Sequence, residues 1–377
     1  MNTALHQETE RTLGAPPSRW TEEPSLTEAI LIWAVVAVIF VATVLILRPY
    51  LPLVRAYGDV SSYVQIAHAI RTWDFSGLQI KHFWGLPYAI ALLSKLTGLA
   101  EEASILAVCA ASSLITVVLA YRLWGGWIAV FISTLNIYWV QLSFLGGSEP
   151  LFVALLLGSL LAIRKERWHL AALLASLATI TRPLGVCLLL GIGVYLLWRR
   201  DWRRLAGAVG IGGVIGLLYA LPLKLYLHDP LATVHSYGVL QSSSYPGVFG
   251  IPFRAIIVGT LLYPSPWTNL VITFAWILLV LAGNVAMLST KEFRDYARDH
   301  VAEAVFAGLY LFFLYSYNAP RLARGNFPRF AIPILPFVFL ALLRWLPKDR
   351  RLLWCAAVIA SPLAAVSAIG IQNIGRP

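Results

Sequence analysis

Charged residues are scarce in this chain of 377 residues, since Asp, Glu, Lys and Arg together make up only 12% of it. About a quarter of an average soluble domain is charged. With 59% hydrophobic residues and a mean hydropathy of +0.74, the chain carries more apolar surface than a soluble core can hide. Apolar runs that recur between short polar turns predict a polytopic helical membrane protein.

The sequence also lacks the signals of several other protein classes. It has no glycine-rich phosphate loop followed by Lys-Ser or Lys-Thr, no Gly-x-Ser-x-Gly elbow and no cysteines at metal-binding spacing. The three cysteines, Cys109, Cys187 and Cys355, all lie inside apolar runs, where we expect core or lipid-facing side chains. Because a sizeable soluble basic domain is missing, the net charge of +11 does not predict nucleic-acid binding.

The apolar runs divide the chain into a leader and a membrane domain. We interpret residues 1–28, which are polar and mixed in charge, as a cytoplasmic tail, and residues 29–377 as one transmembrane domain. About eleven spans are expected, at 29–47, 104–121, 126–142, 149–163, 169–181, 184–198, 205–223, 267–288, 302–317, 330–346 and 352–371. The short pair around Arg182-Pro183 is either two tilted spans or one broken helix. The predicted fold class is therefore all-α, a polytopic transmembrane helical bundle.

Basic residues predict how this bundle is oriented. They fall mainly in alternate turns, such as 164–167 and 199–204, which is the pattern of cytoplasmic loops. Residues 48–102 are then an exterior loop. Two of its segments, about 59–73 and 86–98, are too short or too polar to span and are expected to form interfacial helices. Charges on this exterior side run against the topological bias, so we expect them to have a structural or chemical role.

Three exterior charges lie at predicted helix boundaries. Asp59 begins the first interfacial segment, with Tyr63 one turn further on. Its carboxylate caps the free N–H groups, acts as a general base, or does both. Glu149 precedes Pro150 at the start of a span, and is either part of the helix start or a second carboxylate facing Asp59. Arg182 needs an ionic partner or binds a phosphate group.

The last exterior loop, residues 318–329, contains Arg321, Arg324 and Arg329. Guanidinium groups match the geometry of phosphate oxygens, so the loop predicts contact with an anionic headgroup or a substrate phosphate. A solvated loop that touches lipid headgroups is the alternative interpretation.

Three more polar residues lie on the same predicted side of the membrane. Lys81 and His82 precede an aromatic stretch, and His235 lies in the 224–254 loop. Lone histidines in loops are usually solvated, so these residues are candidates for substrate contact rather than for catalysis.

The order of these features resembles the GT-C superfamily of integral membrane glycosyltransferases. Within it, the chain is similar to PIG-V-type mannosyltransferases and to the protein mannosyltransferase and aminoarabinose transferase group. The resemblance is carried by Gly58-Asp59-Val60-Ser61-Ser62-Tyr63, Trp84-Gly85-Leu86-Pro87-Tyr88, Ser148-Glu149-Pro150-Leu151-Phe152, Thr181-Arg182-Pro183-Leu184-Gly185, and Arg329-Phe330 followed by Pro333 and Pro336. Many relatives have Asp-Glu where this chain has Asp59-Val60, so the second acid of that pair is absent.

The resemblance implies a sugar donor carried on a polyprenyl phosphate and used on the exterior face of a bacterial cytoplasmic membrane. It implies that Asp59 deprotonates an acceptor hydroxyl, with inversion at the anomeric carbon. The expected phosphate-binding residues are Arg182, Arg324 and Arg329, and the expected substrate-binding residues are Tyr63, Lys81, His82, Glu149 and His235. Mannose is the first expectation for the sugar, and the acceptor is a lipid, a glycan or a protein. No cofactor is required; a divalent metal is possible but is not indicated.

A transporter or flippase for a lipid-linked or anionic solute is the alternative from another class of protein. Broken helices and exterior arginines also occur in transporters. The sequence shows no convincing internal repeat, and the long 48–102 loop is unlike a compact carrier. A non-catalytic scaffold subunit is the third interpretation.

Overall fold

The structure is a computed structural model that describes residues 21–47, 59–78, 82–239, 247–263 and 267–374. Within these ranges the regular structure is helical, with one isolated β-bridge between Phe249 and Tyr317. The helices are α1 (Leu26–Ile46), α2 (Val60–Thr72), α3 (Gly85–Thr97), α4 (Glu101–Trp124), α5 (Gly126–Thr134), α6 (Ile137–Leu145), α7 (Ser148–Arg164), α8 (Trp168–Thr181), α9 (Val186–Trp198), α10 (Trp202–Leu227), α11 (Ala232–Val239), α12 (Arg254–Leu262), α13 (Trp267–Ser289), α14 (Lys291–Asp299), α15 (Val301–Ser316), α16 (Pro320–Gly325), α17 (Phe327–Phe330), α18 (Leu335–Leu342) and α19 (Arg350–Ile374).

The predicted spans and interfacial segments all fall on helices. Segments 59–73 and 86–98 correspond to α2 and α3, and each of the eleven predicted spans coincides with one helix or with a broken pair. In the described part of the chain, α1, α4, α10, α13 and α19 are long and apolar enough to cross a membrane, and α5 with α6 forms a sixth candidate bent by 75°. Length and composition therefore identify five or six candidates for full crossings among the described residues, and the other predicted spans are shorter helices.

The first helix begins before the predicted boundary of the tail. Residues 1–20 lie outside the described ranges, and α1 starts at Leu26. The Ser25 side chain caps it by accepting a hydrogen bond from the Glu28 N–H at 3.2 Å, as serine commonly does at this position. The apolar α1 then packs against α19, α5 and α4, which gives the bundle one of its outer walls.

Arg182 lies at a break between two separate helices. Helix α8 ends at Thr181, Arg182 is extended with φ −146° and ψ 134°, and a 3-10 turn over Pro183–Gly185 leads into α9. The ring of Pro183 disfavours helical backbone at the preceding residue, which accounts for the extended conformation. The break turns the Arg182 side chain out of the regular helix and into the interior of the bundle.

Gly85, at the start of α3, allows this helix to pack closely against the break. A Cβ atom on Gly85 would lie 2.3 Å from the Thr181 Oγ1 atom and 2.6 Å from the Thr181 Cα atom. Such distances are shorter than real Cβ contacts allow, so a larger residue would push α3 away from α8. The contact places the segment that precedes α3 beside Arg182.

Helix α7 connects two groups of charged residues at its opposite ends. It has 17 residues, which corresponds to a length of about 25 Å. Ser148 and Glu149 begin it, and Arg164 ends it. The Arg164 guanidinium donates to the Glu303 carboxylate at 2.8 and 3.0 Å, to the Leu123 carbonyl at 2.7 Å and to the Tyr296 hydroxyl at 2.8 Å. This cluster ties the ends of α4, α7 and α14 to the start of α15.

Candidate functional site

A cavity of about 330 Å³ opens at the end of α7 that carries Ser148. Its polar lining includes Asp59, Tyr63, His82, Ser148, Arg182 and Arg329. Most of the remaining lining is apolar and aromatic, including Phe249, Phe313, Tyr317 and Phe330. The cavity thus combines two guanidinium groups and a carboxylate with a surface suited to a hydrocarbon chain.

Asp59 occupies the N-cap position of α2 without capping it. Its side chain makes no hydrogen bond to the N–H groups of the first turn. The Oδ2 atom lies 3.2 Å from Arg329 Nη2, and Oδ1 lies 3.6 Å from His82 Nε2. The side chain is 36% exposed, so a hydroxyl group that enters the cavity can reach it. The geometry thus argues against the capping role and leaves the carboxylate available inside the cavity.

Glu149 lies behind the cavity wall and bridges the two arginines. Its side chain is fully buried, and its carboxylate accepts hydrogen bonds from Arg182 Nη1 and Arg329 Nε. A third, longer contact of 3.4 Å comes from Arg329 Nη2. Glu149 was expected to contact substrate, but the structure places it where it orients and partly neutralises two guanidinium groups.

Ser148 links Arg182 to helix α2. Its Oγ atom accepts hydrogen bonds from Arg182 Nη1 and from the Tyr63 hydroxyl, both at 3.1 Å. Tyr63 therefore reaches the cavity as expected, but its hydroxyl is already directed at Ser148. The charges in this network balance, since Asp59 and Glu149 match the two arginines. Balance of this kind is what makes buried ions tolerable.

Arg329 is carried by a short helix that two buried polar side chains hold in place. Asn136 Nδ2 donates to the Pro328 carbonyl at 3.0 Å, and the Tyr310 hydroxyl donates to the Phe330 carbonyl at 2.8 Å. The Asn136 amide oxygen also caps α6. Sequence reasoning did not single out either residue. The asparagine could have been noticed as an N-cap between two apolar helices, whereas the role of Tyr310 depends on tertiary contacts.

His82 sits between Asp59 and Tyr63. Its ring centroid lies 4.7 Å from that of Tyr63, with a tilt of 40°, and its side chain is 14% exposed. Burial lowers the pKa of the His82 imidazole below its usual value, and the negative charge of Asp59 only partly opposes this shift. This shift of the pKa favours the neutral imidazole, whose ring can accept a hydrogen bond as well as donate one.

Two of the expected site residues, Arg324 and His235, are not brought to this cavity, and a third lies outside the described residues. Arg324 Nη1 donates to the Tyr263 carbonyl at 2.7 Å, so its guanidinium faces away from the lining. His235 pairs with the nearby Asp229 at 2.7 Å on an exposed part of α11. Lys81 lies outside the described residues. Over the described ranges, no group of three or more His, Cys, Asp or Glu side chains is placed to hold a metal ion.

Two solved structures share the architecture described above. The crystal structure of ArnT from Cupriavidus metallidurans bound to undecaprenyl phosphate superimposes with a TM-score of 0.54 at 17% identity, covering 92% of this chain and 78% of that chain. The structure of the same protein in the apo state gives a TM-score of 0.52 at 18% identity, covering 92% and 77%. No match was found among curated proteins. The likeness confirms the GT-C fold expected from the motif order.

The profile of glycosyltransferase family 87 matches residues 86–316, which is well over half of the chain. Together with the fold, this match defines an integral membrane glycosyltransferase. The protein belongs to glycosyltransferase family 87.

Proposed function

We propose that the protein transfers a sugar from a polyprenyl phosphate to an acceptor hydroxyl group, with Asp59 as the general base. The observation that carries the proposal is that one largely apolar cavity contains the Asp59 carboxylate together with Arg182 and Arg329. A lipid-linked phosphate needs both an apolar surface and guanidinium groups. The undecaprenyl phosphate bound to ArnT supports the same class of donor here.

In the proposed reaction, Asp59 takes the proton of the acceptor hydroxyl as its oxygen attacks the anomeric carbon. The bond from that carbon to the phosphate oxygen breaks, and the polyprenyl phosphate leaves as an anion. Because the phosphate is a good leaving group, the proposal needs no general acid. One base and attack from the side opposite the phosphate predict inversion at the anomeric carbon.

The arrangement of charges suits this sequence of events. Before the reaction, two carboxylates balance Arg182 and Arg329. When Asp59 takes up the proton, only Glu149 remains negative, and the four side chains acquire a net charge of +1 as the leaving phosphate gains negative charge. Groups fixed in advance near such a charge stabilise the transition state without reorganising. Glu149 acts in this scheme as a positioning residue for both guanidinium groups.

The sugar, acceptor and membrane side are also part of the proposal. Mannose is the first sugar to test, because the motif order resembles that of mannosyltransferases. A lipid, a glycan or a protein supplies the hydroxyl group. The reaction takes place on the exterior face, as the distribution of basic turns predicts.

The direct test uses the purified protein in liposomes with radiolabelled mannosyl undecaprenyl phosphate and an extract of bacterial envelope lipids and glycans as acceptors. We expect a labelled glycoside and free undecaprenyl phosphate. Asp59→Asn should lower the rate by about 10²- to 10⁴-fold while donor binding persists. Asp74→Asn is the matched control, because Asp74 is an exposed acid just after α2 whose carboxylate bonds only to Ser76 in the described structure.

Two outcomes would contradict the proposal. Transfer that persists in Asp59→Asn would remove the assigned base. Movement of the labelled lipid across the liposome membrane without a new glycosidic bond would favour the transporter alternative.

A further inference from the structure

A second cavity, of about 310 Å³, lies at the opposite end of the bundle from Asp59. It forms where α13 turns into α14 and where α18 ends. Its lining includes Thr290, Glu292, Phe293, Tyr296, Arg344 and Lys348. Tyr296 also belongs to the cluster around Arg164 at the far end of α7, which fixes the position of this cavity. It therefore has no part in the transfer site.

The second cavity has a cationic rim above an apolar floor. Arg344 and Lys348 are exposed at the rim, whereas Phe293 is 9% exposed and lies with Leu340 below them. The Arg344 guanidinium stacks 3.9 Å from the ring centroid of Trp345, whose side chain is 54% exposed. An exposed tryptophan beside basic side chains is typical of the boundary between membrane and water.

One acidic residue, Glu292, shares the rim. Its carboxylate lies 3.7 Å from Arg344 Nη1, and the two side chains are 74% and 57% exposed. An ion pair as exposed as this contributes little, so another anion can replace the carboxylate. The surrounding turns at this end of the bundle carry most of the basic residues of the chain, and the positive-inside pattern predicts that they face the cytoplasm.

We propose that this cavity binds the headgroup of an anionic phospholipid. The lipid phosphate contacts Arg344 and Lys348, and the upper part of an acyl chain lies against Phe293 and Leu340. A free phosphate ion would use the basic rim but would leave the apolar floor exposed to water, so the combination favours a lipid. Basic pockets between membrane helices on the cytoplasmic side recognise anionic headgroups in this way.

The test measures lipid binding to the purified protein by native mass spectrometry, with phosphatidylglycerol and phosphatidylcholine of identical acyl chains. We expect a clear preference for phosphatidylglycerol. The double variant Arg344→Gln/Lys348→Gln should bind it about thirtyfold more weakly, the effect of removing two basic side chains near a charged membrane surface, and should bind phosphatidylcholine unchanged. Glu292→Gln should bind phosphatidylglycerol more tightly than the wild type, because a competing anion has been removed.

The matched control is Lys165→Gln/Arg298→Gln, which removes two exposed basic residues that do not line the cavity. It should bind phosphatidylglycerol as the wild type does. Thermal unfolding curves show whether each variant is folded. Equal binding of the two lipids, or equal losses in the two double variants, would overturn the proposal. So would thermal stabilisation by inorganic phosphate alone that matches the effect of phosphatidylglycerol, since it would indicate a free-anion site.

Discussion

The buried contact between Glu149 and Arg182 offers the sharpest test of the site architecture. Glu149 is fully buried, and the side chain of Arg182 is 18% exposed, so neither charge is well solvated. Removing one partner of such a pair leaves the other uncompensated, which typically costs about 3–5 kcal/mol. Because Arg182 retains its contact with Ser148 and some exposure, we expect Glu149→Gln to lower the free energy of unfolding by about 3 kcal/mol.

The structure also predicts that the two losses are not additive. Arg182→Gln should destabilise the protein by a similar amount, because the buried Glu149 carboxylate then loses one of its two guanidinium partners and keeps only Arg329 among the contacts described. The double variant removes both charges together, so its loss should be smaller than the sum of the single losses by about 1–3 kcal/mol. The measurement is reversible unfolding of the purified protein in mixtures of lipid and sodium dodecyl sulfate.

An exposed pair provides the control for this double-mutant cycle. Arg298 and Asp295 lie 3.6 Å apart with side chains 81% and 50% exposed. Their coupling energy should be below about 0.5 kcal/mol. If the losses for Glu149 and Arg182 were strictly additive, their coupling energy would be no larger than that of the exposed pair. That result would refute the claim that this contact organises the cavity.

Two further predictions concern the walls of the cavity. Gly85→Ala should lower the free energy of unfolding by about 1–3 kcal/mol and reduce transfer. Adding Thr181→Ala should not restore either property, because the Thr181 Cα atom itself would lie 2.6 Å from the new Cβ atom. Restored stability would show that only the Thr181 side chain is crowded. The lowered pKa of His82 means that the unfolded chain binds a proton more readily than the folded one as pH falls below about 6.5. Wild-type stability should therefore drop from pH 7.5 to 5.5 more steeply than that of His82→Gln in thermal unfolding, and equal slopes would contradict the burial of this ring.

Much of the helical framework could be predicted because membrane helices have a strong local signal. A run of apolar residues between charged turns indicates a helix whatever surrounds it. The number of full crossings was harder to predict, because segments such as 169–181 are helical and apolar yet short. Whether a short helix crosses alone or shares a crossing depends on its neighbours rather than on its own composition.

The candidate site was predictable only where a local rule applied. Asp59, Arg182 and Arg329 lie at helix boundaries in the order expected from the resemblance, and the structure brings all three to one cavity. The full burial of the Glu149 side chain could not be predicted from the sequence. Which side of the first helical turn faces the interior of the bundle depends on how the helices pack. The local sequence likewise gave no sign that Tyr263 would hold Arg324 away from the cavity.

Anchoring α7 at both ends limits where the molecule can open. Ion pairs fix this helix to Arg182 and Arg329 at one end and to Glu303 at the other, so sliding it along its axis would break both sets at once. Residues 247–253 are joined to α15 by backbone hydrogen bonds, such as those from the Gly250 N–H to the Ser316 carbonyl and from the Phe253 N–H to the Tyr315 carbonyl. We therefore expect α7 to keep its position along its own axis when a lipid enters the cavity.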